Sequence, residues 1–330
     1  MPVVESNGYM ESKNLPPPPG VIGALVNGFE TVANHLGVLL LPVLFDVFLW
    51  LGPQLKARVL ITPLLDLAAQ IPDSAQAQAF SESLAEFANG FNLFSVLRSY
   101  PFGVYSLMTA NLSLHTPLGE RLQLDPGNLW ISLLLIVLLT GVGWLGGGLY
   151  YYVVAGAIFK QNAPSIWRSL FHFLLLCGFW MVFWVLLNVP LLIFLGVLGM
   201  LNPVLRIIIL VLLSLPFAWF LLGMFYSAHG IYVGRHNAFR SLWNSFRMVR
   251  YGLPNIGWFS LMAIVLSQGL DMLWRIPPAE SWMTLVGILG HAFVSTSLLA
   301  ASFYYYRDVN LWIESALQWL KMNSPSSARA

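Results

Sequence analysis

Charged side chains are scarce in this chain, so the ionisable groups inside its apolar runs come first. Asp46 falls in an apolar stretch from about Thr31 to Leu51, and His172, His229 and His291 stand in three further stretches. An ionisable group in hydrocarbon is costly, so each is a default functional candidate: Asp46 for a structural or interfacial role or for a transport or proton role, and each histidine for an interhelical hydrogen bond or for a metal site assembled across helices. His35 lies about three helical turns before Asp46, which rules out a local pair. Asp271 and Arg275 have the i, i+4 spacing of an ordinary helix ion pair. No HExxH, no carboxylate at ligand spacing and no cysteine ligand accompanies the histidines, so no metal or other cofactor is expected. Ser295, Thr296, Ser297 and Ser302 make a small polar packing face. Neither GxSxG nor SxxK surrounds them, so no nucleophile and no enzyme is expected.

The second kind of chemistry is electrostatic. From Ala238 to Met262 a basic amphipathic helix precedes an apolar span. Phe239, Leu242, Trp243 and Phe246 recur at helical spacing, with Arg240, Arg247 and Arg250 displaced from that stripe. This pattern puts the apolar face into the headgroup layer and the three arginines on lipid phosphates. Gly252 is placed to end the helix and Pro254 to open the next. A weaker copy spans Ala163 to Phe179, with Arg168-Ser169-Leu170 aligned on Arg240-Ser241-Leu242.

These residues must be held by membrane helices. The chain has 330 residues, 58% hydrophobic and 9% charged, with mean hydropathy +0.72. Soluble domains carry about 25% charged residues. The composition therefore predicts an all-α polytopic bundle of about six transmembrane helices plus interfacial amphipathic helices. A net charge of +2 implies no nucleic-acid partner. The single cysteine, Cys177, excludes an intrachain disulfide framework and a cysteine-based metal site.

In chain order, residues 1–20 read as a disordered cytoplasmic tail without signal-peptide character. Residues 21–52 read as a short interfacial helix and a first span that Pro42 interrupts. Residues 53–127 read as an extracytoplasmic helical cap on the outer surface, with helices over about Leu55–Ala69 and Ser74–Asn89, the latter capped by Asp73 or Ser74. Residues 128–307 read as five spans with two cytoplasmic interfacial helices, and 308–330 as an amphipathic helix and tail. In the second span Gly143 and Gly147 have the spacing that admits a close neighbouring helix. Pro190 and Pro216 fall inside the third and fourth spans and bend them. Lysine and arginine set the orientation. Lys13, Lys160, Arg168, Arg235, Arg240, Arg247, Arg250, Arg307, Lys321 and Arg329 share one side, against Arg206 and Arg275 in the short loops opposite. Both termini are therefore expected in the cytoplasm.

Ala238–Arg250 and the segment Leu298–Val309, LLAASFYYYRDV, together with Ala163–Phe171, resemble a prokaryotic family of six-span membrane proteins of unknown function. That family is similar to the membrane domain found beside some glycerophosphodiester phosphodiesterases. The resemblance covers about Leu149 to Glu314 and implies topology, in a prokaryotic cytoplasmic membrane. The phosphodiesterase catalytic domain and its acidic metal cluster are absent from the sequence. The expected function is a non-enzymatic scaffold or accessory subunit. Its partners are membrane lipids and an unidentified protein, and a homo-oligomer is compatible. The alternative is a transporter or lipid-handling permease. An ionisable pair facing a common cavity would favour the permease; a closed, dry bundle would favour the scaffold.

Overall fold

The computed structural model describes residues 17–56, 58–68, 75–111, 113–159 and 165–322. Lys13, Asp73, Ser74, Lys160 and Arg329 lie outside them. Among the described residues five helices are long and apolar enough to cross a membrane: α5 (Leu129–Ile158), α6 (Ile166–Leu201), α7 (Pro203–Ser227, continued by the short α8, His229–Val233), α9 (Ala238–Trp274) and α10 (Thr284–Met322). Ahead of them come α1 (Val21–Asn34), α2 (Leu40–Leu51), α3 (Arg58–Ala68) and α4 (Ala75–Gly90). The chain is an all-α polytopic bundle.

The helix starts follow from local chemistry. The Asn128 side chain accepts from the N–H groups of Trp130 and Ile131, Asn202 from Leu205, and Asn237 from Arg240. Each satisfies donors that a helix leaves free at its N-terminus. Pro203 sits at the first position of α7, where it has no intrahelical bond to lose.

Helix α10 is the axis of the molecule. About 72% of its apolar window is buried, against none of the corresponding window of α6. Small residues allow this. A side chain on Gly28 would meet the backbone of Ser297 and Ala301, so α1 lies directly on α10. Trp50 at the far end of α2 donates to Ala279 O (2.7 Å) and packs edge-on against Trp282. The pair α1–α2 bends by 93° at His35, yet Gly28 of α1 meets Ala301 of α10 and Trp50 of α2 meets Trp282 just ahead of α10. From Thr284 to Ala301 α10 rises about 26 Å at 1.5 Å per residue, close to the thickness of a hydrocarbon core. The bent pair is thus long enough to form one broken span.

Four expectations are corrected here. The first span does not run unbroken from Thr31. It breaks at His35, and Pro42 falls in the first turn of α2, where its missing N–H costs nothing. Second, Gly252 and Pro254 do not divide a surface helix from a span. Helix α9 is continuous through both. Ending it would expose backbone groups to an apolar environment, whereas continuing it forfeits the one bond Pro254 cannot donate. Third, the basic segment before the third span and the stripe from Val309 to Leu320 are likewise the ends of α6 and α10.

The fourth concerns residues 93–110, expected in a surface cap. They run between the spanning helices. A side chain on Gly143 would meet Leu97 O, and one on Gly147 would meet Gly103 Cα and Phe102 O. The close neighbour of this glycine pair is thus a returning strand of backbone, not another span. Gly147 lies about 27 Å along α5 from Leu129 at 1.5 Å per residue. There Phe102 is buried against Tyr151 and Phe173. Trp144 donates to Tyr100 O (2.8 Å), and the Tyr100 ring meets Trp184 edge-on. Residues 54–55 and 123–124 pair in parallel and close the base of this insertion.

Candidate functional site

The inserted segment, α7, α9 and α10 enclose a cavity of about 590 Å³. Glycines set its geometry. Gly287 and Gly290 on α10 receive the backbone and ring of Trp274 at the end of α9, too close for any side chain at either position. This contact fixes the register of the two antiparallel helices. One turn back from Trp274, Asp271 then faces His291. The Asp271 carboxylate and His291 Nδ1 are 2.7 Å apart, with the two side chains 16% and 6% exposed. His291 Nε2 is buried and has no hydrogen-bond partner among the described residues. The expected Asp271–Arg275 pair is not formed. Asp271 turns to His291 because that partner lies inside, whereas Arg275 is exposed at the rim.

Arg98 and Arg275 line the same cavity, and neither makes an ion pair within 4.0 Å among the described residues. Arg98 Nη1 donates to Thr109 Oγ1 at 3.5 Å. Ser267, Gln268, Ser295 and Ser302 add uncharged polar groups, and Leu222, Phe225, Phe259 and Leu298 add apolar surface. Two guanidiniums against one carboxylate make the polar end cationic. The cavity thus matches an anion attached to an apolar body. A second cavity, of about 610 Å³, lies on the other side of the inserted segment. Arg98, Pro101, Tyr105 and Phe225 line both, so residues 98–105 partition the interior.

Asp46 holds that partition from behind. It is fully buried, accepts from Ser106 Oγ, and takes the N–H groups of Leu107 and Met108 at 3.0 Å each. Three donors on one carboxylate anchor the returning end of the segment, and Ser106 carries the contact to the cavity wall. Asp46 has no contact with His35, whose Nδ1 lies 2.9 Å from Thr31 O.

The other expected site residues are dispersed. His229 is fully buried, 2.7 Å from Ser302 Oγ and among Tyr151, Phe225, Tyr226, Phe303 and Tyr306. His172 lies at the opposite end of the bundle, beside Arg168 and His236. Arg240 and Arg250 are exposed, and Arg247 is half-buried with its Nε lacking a hydrogen-bond partner among the described residues. The stripe beside them is split: Phe239 and Trp243 face outward, whereas Phe246 packs on Trp180, Trp219 and Phe220. None of the three arginines forms an ion pair with Asp308 or Glu314; Asp308 pairs with Arg307 at 2.8 Å.

Sequence reasoning passed over Arg98, placed in the outer surface cap, and the partnership of Asp271 with His291. The latter had a usable signal, since both lie within a few turns of the Pro277-Pro278 connection between consecutive helices. Among the described residues no group of three or more His, Cys, Asp and Glu is placed to hold a metal ion. No family model, curated protein or solved structure matches the chain.

Proposed function

We propose that this protein is a non-enzymatic, lipid-handling permease that takes an anionic amphiphile into the cavity between α7, α9 and α10. One observation carries the reading: the Asp271–His291 pair faces a cavity shared with two guanidiniums that have no carboxylate partner among the described residues. A closed, dry scaffold gives no reason for a polar-lined cavity of this size with exposed guanidiniums at its edge. Arg98 and Arg275 attract the head of the ligand, the apolar wall receives its chain, and the inserted segment separates two halves of a route. The topology assigned to this function has six spans in a prokaryotic cytoplasmic membrane, with both termini in the cytoplasm. The clustering of Arg235, Arg240, Arg247 and Arg250 supports that orientation. Cysteines placed at Asn237 and Gln78 should label from opposite sides of the membrane.

The ligand is tested with a spin-labelled fatty acid and the alcohol of the same chain length, each added to purified protein in detergent. The fatty acid should bind at least tenfold more tightly than the alcohol. Replacing Arg98 and Arg275 together with glutamine should remove the difference while leaving alcohol binding unchanged. Equal binding of acid and alcohol by the unaltered protein would reject the anionic site.

A further inference from the structure

A second, smaller pocket lies at the other end of the bundle, where α6 begins and α8 passes to α9. It encloses about 150 Å³ and is lined by Ser165, Arg168, Ser169, His172, Arg235 and His236. At about 30 Å³ per water this is the space of roughly five waters, enough for one tetrahedral oxyanion with residual hydration. No carboxylate of the described residues lines it.

Its chemistry comes from three independent sources. The first is backbone. Helix α6 runs for 36 residues, and its N-cap Ser165 makes no side-chain capping bond. The N–H groups of Ile166, Trp167 and Arg168 therefore lack intrahelical acceptors at the positive end of a long helix. The second is charge. Arg168 lies in the first turn of α6, and Arg235 arrives from the α8–α9 connection in a left-handed conformation with φ 52°. The third is a buried hydroxyl. Ser169 is 1% exposed, lines the pocket, and its Oγ has no hydrogen-bond partner among the described residues. His172 Nδ1 is likewise buried without a partner among them. The repeat makes the contrast plain: the equivalent Ser241 donates its hydroxyl to Ser227 O, so only the first copy keeps its serine unengaged.

The surroundings are cationic as well. Burial and the nearby Arg240 and Arg247 guanidiniums hold the His236 imidazole below its ordinary range, with Glu314 on α10 the one acidic group opposing them. His236 Nδ1 is 3.2 Å from Asn244 Nδ2, which orients the ring.

The geometry points to a phosphate site: we infer that this pocket binds a phosphate group through the α6 N-terminus, Arg168, Arg235 and Ser169. The same chemistry fits inorganic phosphate and the phosphomonoester headgroup of an anionic lipid. Two arms separate them. In detergent, inorganic phosphate is titrated calorimetrically into the full-length protein against sodium chloride at matched ionic strength. In nanodiscs, the bound lipid is counted by native mass spectrometry with phosphatidic acid or phosphatidylcholine present. Phosphate binding in detergent identifies the free ion as a ligand; retention of phosphatidic acid alone identifies the headgroup. In whichever arm binds, Ser169→Ala and Arg168→Gln should each weaken binding by tenfold or more, whereas Arg250→Gln, on the exposed face of α9, should change it less than twofold. Ser169→Ala removes only an unengaged hydroxyl and should fold normally, so loss of binding cannot be ascribed to unfolding. Absence of binding in both arms, or binding unchanged by Ser169→Ala and Arg168→Gln, would overturn the assignment.

Discussion

The hairpins α6–α7 and α9–α10 each begin with a basic first turn, Arg168-Ser169-Leu170 and Arg240-Ser241-Leu242. Beyond it they part. In α6–α7 the residues toward the Asn202 turn are mostly apolar, Asn188, Arg206 and Ser214 apart: Val185, Leu186, Leu192, Ile193, Val204, Ile207, Val211 and Leu215 are all exposed. In α9–α10 the equivalent depth holds Asp271, His291, Ser295 and Gln268, turned toward a cavity. A bilayer explains the difference. Hydrocarbon solvates leucine as well as a protein core does, so a helix that is apolar all round needs no partner there. A helix with polar groups must turn them inward and supply them with partners. Polarity, rather than hydrophobicity, therefore decides which hairpin is central.

The largest test of this contrast uses glycine. Gly287→Leu on α10 would drive a side chain into Trp274 O, 2.4 Å from the position of a Cβ, whereas Gly196 on α6 has nothing within 4 Å. Gly287→Leu should abolish most of the folded yield, because overpacking costs about 1–3 kcal/mol or more where backbone must move. Gly196→Leu should express and unfold like the parent. Equal yields would mean that the α6–α7 hairpin is packed as tightly as α9–α10.

Next comes the anchor of the inserted segment. Asp46→Ala leaves two backbone N–H groups and a serine hydroxyl without their acceptor. At about 1–3 kcal/mol for each unsatisfied buried group, the loss should be at least about 2 kcal/mol in detergent unfolding. A smaller loss would show that water replaces the carboxylate.

Two side-chain pairs sharpen the comparison further. A double-mutant cycle with Asp271→Asn and His291→Gln should give a coupling of about 1–2 kcal/mol, since both side chains are largely buried. The cycle for Arg307 and Asp308, whose side chains are 39% and 32% exposed, should give less than about 1 kcal/mol. Equal couplings would place Asp271 and His291 in water.

The smallest effect concerns pH. Because the folded protein holds His236 below its ordinary pKa, the unfolded chain takes up a proton first on acidification. Stability should therefore fall as pH drops below about 6.5, the unperturbed imidazole value. His236→Gln should flatten that slope, and phosphate should reduce it in the parent by offsetting the local positive charge. A slope unchanged by His236→Gln would assign the dependence elsewhere.

The sequence by itself determined the class and the placement of most helices. Charge at 9% and long apolar runs leave no soluble alternative, and Asn128, Asn202 and Asn237 mark three helix starts by a chemistry that acts within three residues. Helices α3 and α4 were likewise legible from their periodicity and flanking residues. Only the tertiary structure decided the rest. Glycine spacing at 143 and 147 announced a close approach but not its partner, because a helix and a loop of backbone satisfy the same gap. Gly252 and Pro254 carried a stop signal, and the packing of α9 on α7 and α10 overrode it. The site itself joins Arg98, Asp271 and His291 across nearly two hundred residues. Local rules reach one or two helical turns, and which side chains share a cavity depends on helix register, here set where Trp274 meets Gly287 and Gly290.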